Sequence, residues 1–430
     1  MRQNRSTRRG CRKQRKTFSL LRALIYEVNY APEPISTGKY TGELGEWLAS
    51  RGHEVRAVAA PPYYPAWRVG EGYSSARYAR ERVVGTEVWR CPVWIPARPT
   101  GLKRLLHQAS FAASSFPVMI RQSLWRPDVV IVVEPSLFCA PAGLLAARLG
   151  GGQAWLHVQD FEVDAALDLG LVKGRALRRA LYGAERWLMK RFTGVSTITE
   201  AMRRRVLKKG VRENQAHLVP NWADIQSVRP TTPDEGTRLR FGANPDDALV
   251  LYAGNIGEKQ GLELVLEAAR LLRGRGDIRF AMVGEGAARE RLERRANELE
   301  LENLSFFPVQ PREQLSSMLA AGDVHLVIQR REAADLVMPS KLTNILAAGR
   351  PAVATADPGT ELYNVLRGHD CGVMSAPGDP EELAAAIAAL ADDPESRKRL
   401  GGNARRYAEK HLDKDEILAG FERVLQEHLG

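Results

Sequence analysis

Short apolar runs of strand length alternate with helical patterns along almost the whole chain, and this alternation restricts the possible folds more than any other feature. In the first half, strands are predicted near residues 22–28, 54–59, 128–133, 154–157 and 195–198, and helices near 37–51, 102–124, 137–149, 175–191 and 200–209. In the second half, strands are predicted near 248–253, 278–283, 304–308, 324–328, 352–355 and 372–374, each followed by a helix. Repeated strand–helix units form parallel sheets. The pattern therefore predicts an α/β protein with two doubly wound domains in tandem.

A segment without regular periodicity separates the two halves. It covers residues 224–239 and contains Pro230, Pro233 and Gly236, which is typical of a linker. Ligands of doubly wound sheets bind at the carboxyl ends of the strands, so two facing domains imply a cleft between them. We predict a first domain over 18–225, a second domain over 226–410, and a C-terminal helix over 411–430 that packs back on the first domain.

The formal net charge of +11 is concentrated at the amino terminus. The first sixteen residues contain eight Arg or Lys and no acid, which leaves +3 for the rest of the chain. We predict a disordered basic tail over 1–17 that attracts polyanions, with no specific nucleic acid partner. A dispensable or wrongly assigned start explains the tail at least as well. Arg8 and Arg9 also suggest a twin-arginine signal, but Arg22 interrupts the apolar segment that follows.

The remaining composition favours a cytoplasmic protein. No apolar run reaches the ~18 residues that a membrane span needs. The four cysteines, Cys11, Cys91, Cys139 and Cys371, lie far apart without CxxC spacing. Such cysteines are expected to be free thiols in a reducing compartment.

The stretch VLYAGNIGEKQGLELVLEAA, residues 250–269, changes from a strand to a glycine turn and then to a helix. The turn contains Gly254, Asn255, Gly257, Lys259 and Gln260. A glycine turn at a helix start lets an anion approach unpaired backbone amides, and the helix dipole adds positive charge there. The spacing matches neither the GxxxxGKS/T nor the GxGxxG phosphate loop. From these residues alone, a phosphate site and an ordinary strand–helix turn are equally good interpretations.

Two further junctions repeat this arrangement. Thr37 and Gly38 stand at a helix start after the first strand, and Gly284 and Gly286 follow the strand near 278–283. Each junction alone is weak evidence, and a packing turn is the simpler interpretation of the second. Three junctions in the two halves together favour phosphate contacts at the strand ends.

Four motifs resemble those of family-4 glycosyltransferases: VPNWAD at 219–224, AGNIGEKQGLE at 253–263, MVGEGAARERL at 282–292 and MPSKLTNILAAGRPAVA at 338–354. LHVQDFEVDAALDLG at 156–170 is similar to the colanic acid biosynthesis branch. The resemblance extends from about Leu20 to the C-terminus. It implies the GT-B architecture, in which two Rossmann-like domains face each other and the second holds most of a nucleotide-sugar donor. It also implies sugar transfer with retention of anomeric configuration, without a metal or cofactor.

The resemblance places the donor diphosphate at the loop from Gly254 to Gly261. Departure of a nucleoside diphosphate develops negative charge, which a lysine and oriented amides can stabilise. The family commonly has an arginine just after the first glycine and a lysine just before the last, whereas this chain has Asn255 and Gln260 there. We therefore expect the basic role to belong to Lys259 or Lys341.

A second departure concerns the glutamates with which many members bind the donor sugar and the ribose. Leu336 and Asn344 stand at those two positions, and Asp335 is one residue away from the first. Asn344 can still hydrogen-bond a ribose. Asp335 and the backbone amides near Ser340 are candidates for the sugar contact, although a solvated loop acid is the simpler interpretation of Asp335 alone.

In the first domain, the resemblance draws attention to His157 and Asp160, at a strand end facing the proposed cleft. The family has a His or Asp near this place that contacts the donor sugar or positions the acceptor. Asp160 fits better, because a lone histidine at a strand end is more often structural. Glu162 and Asp164 are candidates for binding acceptor hydroxyls or for capping the next helix. The predicted catalytic residues are Asp160, His157 and Lys259.

Residues 98–126 contain no acid but combine Arg98, Lys103 and Arg104 with leucines and phenylalanines. Basic amphipathic helices can lie on anionic membranes. Since related polysaccharide transferases commonly use lipid-diphosphate acceptors, we expect a lipid-linked saccharide acceptor and peripheral contact with the inner face of the cell membrane. A core helix with a basic solvated edge explains the segment equally well.

Three alternatives remain open at the level of sequence. A nucleotide-sugar epimerase of the same fold would need no acceptor. Loss of both expected glutamates also fits a non-catalytic partner that binds nucleotide sugars. A nicotinamide oxidoreductase is disfavoured, because the chain lacks a GxGxxG loop followed by a ribose-binding acid.

Overall fold

The computed structural model describes residues 20–33, 36–97, 101–164, 174–331 and 339–429, without the side chains of Ser36, Lys259 and Arg312. The predicted basic tail, residues 98–100 and Asp335 lie outside this part of the chain.

The first domain is built on an eight-stranded sheet. Its strands are β1 (Arg22–Tyr26), β2 (Glu54–Ala59), β3 (Ala79–Val83), β4 (Thr86–Arg90), β5 (Val129–Glu134), β6 (Gln153–Val158), β7 (Gly194–Thr197) and β8 (Ala216–Leu218), in the order β3-β4-β2-β1-β5-β6-β7-β8. All neighbours are parallel except β3 and β4. The helices are α1 (Ser36–Ser50), α2 (Gly101–Ser123), α3 (Ala140–Gly150), α4 (Arg175–Met189) and α5 (Glu200–Lys208).

The second domain has a six-stranded parallel sheet. Its strands are β9 (Ala248–Ala253), β10 (Ile278–Val283), β11 (Leu304–Phe307), β12 (Val324–Val327), β13 (Ala352–Thr355) and β14 (Gly372–Ser375), in the order β11-β10-β9-β12-β13-β14. Its helices are α6 (Glu235–Arg240), α7 (Glu263–Leu271), α8 (Arg289–Glu298), α9 (Leu315–Ala321), α10 (Ser340–Ala347), α11 (Glu361–Gly368), α12 (Pro380–Asp392) and α13 (Pro394–His411). The strand order reverses between β9 and β12, and ligands of such sheets bind outside the carboxyl ends at that crevice.

The predicted fold class is confirmed, since both halves form doubly wound, Rossmann-like sheets. All six predicted strands of the second domain are present. The sequence interpretation missed β3, β4 and β8. β3 is a mostly exposed edge strand with the sequence ARERV, and β8 has only three residues, so neither shows an apolar run. The predicted linker contains the short helix α6, which begins where the side chain of Asp234 accepts a 2.7 Å hydrogen bond from the amide of Thr237.

The last helix, α14 (Lys414–Leu429), follows the second domain in sequence but packs on the first. Its buried residues Leu418, Phe421 and Leu425 belong to the core that α1 shares with the first sheet. Glu422 Oε1 lies 2.8 Å from Nε2 of His53. The chain passes from the first domain to the second at Ala223 and returns to the first domain at Leu412. The amide of Ala223 donates to the carbonyl of Leu412 over 2.8 Å, so the two crossings lie side by side.

Candidate active site

Two glycine turns lie against each other at the carboxyl ends of β9 and β10. The strands end level, with Ala253 opposite Val283. Gly254 and Gly284 follow with φ of 148° and 154°, a region that L side chains rarely adopt. A Cβ added to Gly284 would overlap the carbonyl oxygen of Gly254. Glycine is therefore required where the two turns meet, and their backbones are brought together at the cleft edge.

The side chain of Lys341 reaches this turn from α10. Its Nζ lies 3.6 Å from the ring centroid of Tyr252, and a Cβ on Gly254 would be 3.1 Å from the same Nζ. The Nζ is buried and has no hydrogen-bond partner among the described residues. Burial lowers the pKa of Lys341 to about 7. A buried ammonium without a counter-charge is costly, and a bound anion would compensate that cost.

The start of α10 lies beside this lysine. Pro339 precedes the helix in an extended conformation, and no side chain of the described residues caps the first turn. Within the described residues, the amides at Ser340 and Lys341 are therefore without a capping side chain and can donate to a ligand or solvent. Asn344 is one turn further along and is partly exposed. The structure thus brings together Gly254, Lys341 and the helix start at Ser340.

The rest of the β9 turn contributes polar groups. Asn255 Nδ2 and Gln260 Oε1 both lie 3.0 Å from the position of a Cβ on Gly257. Gln260 Oε1 is buried and has no hydrogen-bond partner within the described part of the chain. Gly286 contacts the same turn, because its Cβ would overlap the carbonyl of Ile256. The backbone of Lys259 lies in the 3₁₀ turn Glu258–Gln260, but its side chain is outside the description, so its expected basic role stays a prediction.

Arg330 is a basic group that the sequence interpretation missed. It lies just beyond β12, and its side chain covers Gly261, where a Cβ would be 2.8 Å from Cγ and 3.2 Å from Nε of Arg330. Gly261 has φ of 67° and closes the β9 turn. The guanidinium of Arg330 is 3.6 Å from Glu263 Oε2. Arg330 therefore brings positive charge to the crevice between β9 and β12. The sequence signal that could have identified Arg330 was its position as an arginine just after a strand that neighbours the glycine turn.

The start of α1 presents carboxyl groups. The buried Glu27 accepts a hydrogen bond from Thr41 Oγ1, and burial raises the pKa of Glu27 to about 8. A Cβ on Gly38 would lie 2.6 Å from Glu33 Oε2. A phosphate needs donors rather than carboxyl oxygens, so these surroundings do not favour the predicted contact at Thr37 and Gly38. That contact stays a prediction.

His157 lies inside β6 and is fully engaged by neutral partners. Its Nδ1 is 2.9 Å from Ser196 Oγ, and its Nε2 is 3.0 Å from Gln159 Nε2. The same Gln159 amide donates to Asn221 Oδ1 over 2.9 Å. Because an amide nitrogen can only donate, Nε2 of His157 accepts and Nδ1 donates. Burial lowers the pKa of His157 to about 4, so the ring is neutral and serves to orient this network.

Asp160 and Glu162 lie beyond the carboxyl end of β6. Asp160 is partly exposed and raises the pKa of Glu162, although burial is the larger cause. Glu162 accepts a 3.0 Å hydrogen bond from the amide of Leu137. Asp164 instead forms a buried ion pair, with its Oδ1 3.1 Å from Nζ of Lys209. Of the predicted carboxylate cluster, Asp164 stabilises the fold, and the expected ligand roles of Asp160 and Glu162 stay predictions.

The two domains approach each other at this site. Tyr40 OH on α1 lies 3.5 Å from Thr343 Oγ1 on α10, the helix that carries Lys341. Glu361 at the start of α11 faces Arg204 and Glu200 of α5, and burial raises the pKa of Glu361. The helices that begin at the strand ends of the two domains therefore face each other beside Lys341. No cluster of three or more His, Cys, Asp or Glu suited to a metal occurs in the described residues.

Comparison with known proteins is consistent with this geometry. Residues 37–222 match the model of the glycosyl transferase 4-like domain, and residues 235–407 match that of glycosyl transferases group 1. The "Putative colanic acid biosynthesis glycosyl transferase WcaI" of Escherichia coli (strain K12) is 46% identical over 411 residues, covering 93% of this chain and 98% of that protein.

Two solved structures show the same fold. Sucrose-phosphate synthase from Thermosynechococcus elongatus superposes with a TM-score of 0.74 at 16% identity, covering 94% of this chain and 98% of the other. HepE from Anabaena, solved in complex with UDP-glucose, superposes with a TM-score of 0.69 at 15% identity, covering 95% of this chain and 100% of the other.

Proposed function

The chain belongs to the group 1 glycosyl transferases of the GT-B fold, as its motifs predicted, and from this premise we propose that it transfers a sugar from a nucleoside-diphosphate donor to a lipid-linked saccharide in exopolysaccharide biosynthesis of the colanic acid type. The observation that carries the donor proposal is the buried ammonium of Lys341, which has no counter-charge among the described residues and lies against Gly254.

In this proposal the donor diphosphate binds between the β9 turn and the start of α10. Lys341 and the amides at Ser340 supply positive charge, and Arg330 adds a second cation from β12. During transfer the bond between the anomeric carbon and the β-phosphate oxygen breaks, and its electron pair stays with the diphosphate. An acceptor hydroxyl oxygen then bonds to the same carbon and gives its proton to the departing diphosphate oxygen, with retention of configuration and without a metal. Stabilisation of the developing diphosphate charge is the main contribution of these groups.

The donor base and sugar are proposed from similarity. The resemblance of the motifs to the colanic acid branch suggests GDP-fucose as the donor. A UDP-sugar is the competing choice, since the related fold of HepE was solved with UDP-glucose. Asn344 is proposed to hydrogen-bond the ribose, because its partly exposed amide lies one turn beyond Ser340.

The acceptor is proposed to bind on the first-domain side of the cleft, where Asp160 and Glu162 can accept hydrogen bonds from its hydroxyls. No helix among the described residues is long and apolar enough to cross a membrane. In the predicted membrane-facing segment 98–126, Phe111, Val118 and Met119 are buried in the core, while Leu102 and Leu106 are exposed. Contact of this segment with a membrane stays a prediction.

A thermal-shift panel tests the donor site directly. GDP, UDP, ADP and NAD are added to the unmodified chain, to Lys341→Met and to the exposed control Lys398→Met. We expect one nucleoside diphosphate to stabilise the unmodified chain and the control, because a ligand that binds only the folded state raises its stability. Loss of a charge-assisted contact should weaken binding to Lys341→Met by roughly 2 kcal/mol. Stabilisation by NAD alone, or equal stabilisation of all variants, would contradict the proposed site.

An activity assay separates the competing functions. The unmodified chain is incubated with the donor that binds, with and without a lipid-linked saccharide fraction. Sugar found in the lipid fraction supports transfer. A changed sugar configuration without acceptor indicates an epimerase, and tight donor binding without any turnover indicates a non-catalytic partner.

A further inference from the structure

Helix α4 (Arg175–Met189) leaves most of its apolar side exposed to solvent. At about 100° per residue, six of its apolar residues share one arc of about 120°. These residues are Leu177, Ala180, Leu181, Ala184, Trp187 and Leu188. Leu177 is 52% exposed and Trp187 is 55% exposed, whereas the two buried residues of the helix are Glu185 and Met189. Leu181 and Leu188 are partly buried at the edge of the arc, where Leu188 packs against the first-domain core. A surface helix normally buries its apolar side, whereas α4 exposes most of its apolar side.

A buried ion pair between Glu185 and Lys209 fixes this orientation of α4. Nζ of Lys209 contacts Glu185 Oε2 and lies 3.1 Å from Asp164 Oδ1. Nε of Arg186 donates to the carbonyl of Lys209 over 3.0 Å, and Met189 packs in the core. Rotating the helix to bury its apolar arc would separate Glu185 from Lys209, and breaking a buried ion pair is unfavourable. The apolar arc therefore faces outward in the folded protein.

Most basic residues lie on the side of the helix opposite this arc, and Arg191 lies at the end of the arc beside Trp187. Between Gly174 and Arg191 the chain has six basic residues, Arg175, Arg178, Arg179, Arg186, Lys190 and Arg191, and one acid, Glu185. The acid is buried and paired with Lys209, so the exposed surface of the helix is basic and apolar. The guanidinium of Arg191 stacks on Trp187 at 3.3 Å from the ring centroid. Two copies meeting through this surface would bring like charges together, which opposes self-association.

We propose that α4 is a membrane-docking helix that lies on anionic phospholipid, with Leu177 and Trp187 at the boundary of headgroups and acyl chains and the arginines of its polar face attracting the anionic surface. This surface shares no residue with the donor site. It deepens the proposed function by naming the element that holds the enzyme where a lipid-linked acceptor is found. Vesicle binding needs no donor, so its failure would leave the proposed transfer untouched.

The test is vesicle flotation of the full chain with phosphatidylglycerol–phosphatidylethanolamine vesicles and with neutral phosphatidylcholine vesicles. The apolar variant is Leu177→Ser with Trp187→Ser, and the charge variant is Arg178→Gln with Arg179→Gln. Matched controls in the second domain are Leu239→Ser with Leu271→Ser, which are exposed leucines, and Arg273→Gln with Arg294→Gln, which are exposed arginines. A fifth variant, Leu102→Ser with Leu106→Ser, probes α2.

We expect binding to the anionic vesicles only, with a loss of about tenfold or more in each α4 variant. The matched controls should stay within about twofold, since their side chains lie outside the docking surface. The altered α4 residues are exposed, so melting temperature and nucleotide-induced stabilisation should be unchanged, which separates a docking defect from misfolding.

Three outcomes would overturn the proposal. One is unchanged binding by both α4 variants. Another is loss of binding in the α2 variant alone, which would assign the membrane contact to residues 102–106. The third is a dimer in light scattering that disappears in Leu177→Ser with Trp187→Ser while vesicles do not bind, which would make the arc a protein interface.

Discussion

The charge state of Lys341 couples the candidate site to pH. In the unliganded protein its Nζ is buried between Tyr252 and Gly254, and its pKa is lowered to about 7. A bound diphosphate favours the charged ammonium and raises that pKa again. Binding at neutral or higher pH therefore takes up a proton. Between pH 7 and the pKa near 10.5 that this lysine has in the unfolded chain, the folded chain binds fewer protons than the unfolded chain. Burial of Lys341 therefore lowers the free energy of unfolding, and this loss becomes smaller as pH rises across that window.

The first prediction follows from this proton uptake. The affinity for the nucleoside diphosphate should fall as pH rises from 7 to 9, by up to about tenfold per pH unit while the lysine is neutral in the free protein. Titration calorimetry at pH 7, 8 and 9 measures it. Lys341→Met should bind weakly with little pH dependence, and Lys398→Met should behave like the unmodified chain. A steep pH dependence that survives in Lys341→Met would assign the proton to another group.

The second prediction concerns Gly284. In Gly284→Ala the added Cβ would overlap the carbonyl of Gly254, and φ of 154° is strained for alanine. The substitution should cost roughly 2–4 kcal/mol and should weaken nucleotide binding, because the β9 turn must move. Urea denaturation compares it with Gly274→Ala, where nothing lies within 4 Å of the Cβ. A cost within about 0.5 kcal/mol of the control would show that the two turns are not in contact.

At the scale of elements, α14 packs on the first domain, although it follows the second domain in sequence. Phe421 packs at 5.6 Å from the ring of Trp155 and 6.3 Å from that of His157. Trp47 Nε1 donates to Asp415 Oδ1 over 2.9 Å at the other end of the same interface. The helix therefore covers β6, the strand that precedes Asp160.

The third prediction tests this packing. Phe421→Ala removes a ring that is 3% exposed and should destabilise the first domain by about 3–5 kcal/mol. Chemical denaturation followed by tryptophan fluorescence measures the loss. The neighbouring exposed Arg423→Ala serves as the control and should change stability little. Equal stability of the two variants would mean that α14 does not contribute to the first core.

At the scale of the whole molecule, the cleft is assembled from both domains. Each sheet presents its carboxyl ends to it, and Tyr40 with Thr343 links α1 to α10 across it. The positive charge near the proposed diphosphate comes from Lys341, Arg330 and the helix start at Ser340. In the proposed mechanism, these groups stabilise the leaving diphosphate without an added cation.

The fourth prediction follows from that arrangement. Transfer activity in excess EDTA should stay within about twofold of activity with Mg²⁺, because protein groups supply the charge stabilisation. The assay compares the same enzyme preparation in both conditions and adds Lys341→Met, whose activity should be low in both. A large loss in EDTA that Mg²⁺ restores would show that a metal takes part in the reaction.

Much of the molecule was determined by the sequence alone. Central strands such as β9 and β10 are buried, so they read as continuous apolar runs, and the glycine turns and helices follow them within a few residues. These signals are local, which is why the fold class and the β9 turn were predictable. β3 was not predicted from the sequence, because a polar edge strand has no apolar run.

Only the tertiary structure decided how distant groups meet. It placed Lys341 over Tyr252, brought Arg330 onto Gly261, and enclosed His157 in a hydrogen-bond network beneath Phe421. It also turned the predicted helix at α4 outward, because Glu185 pairs with Lys209. Apolar periodicity reports how a segment folds locally, whereas burial, desolvation and charge pairing depend on neighbours from remote parts of the chain.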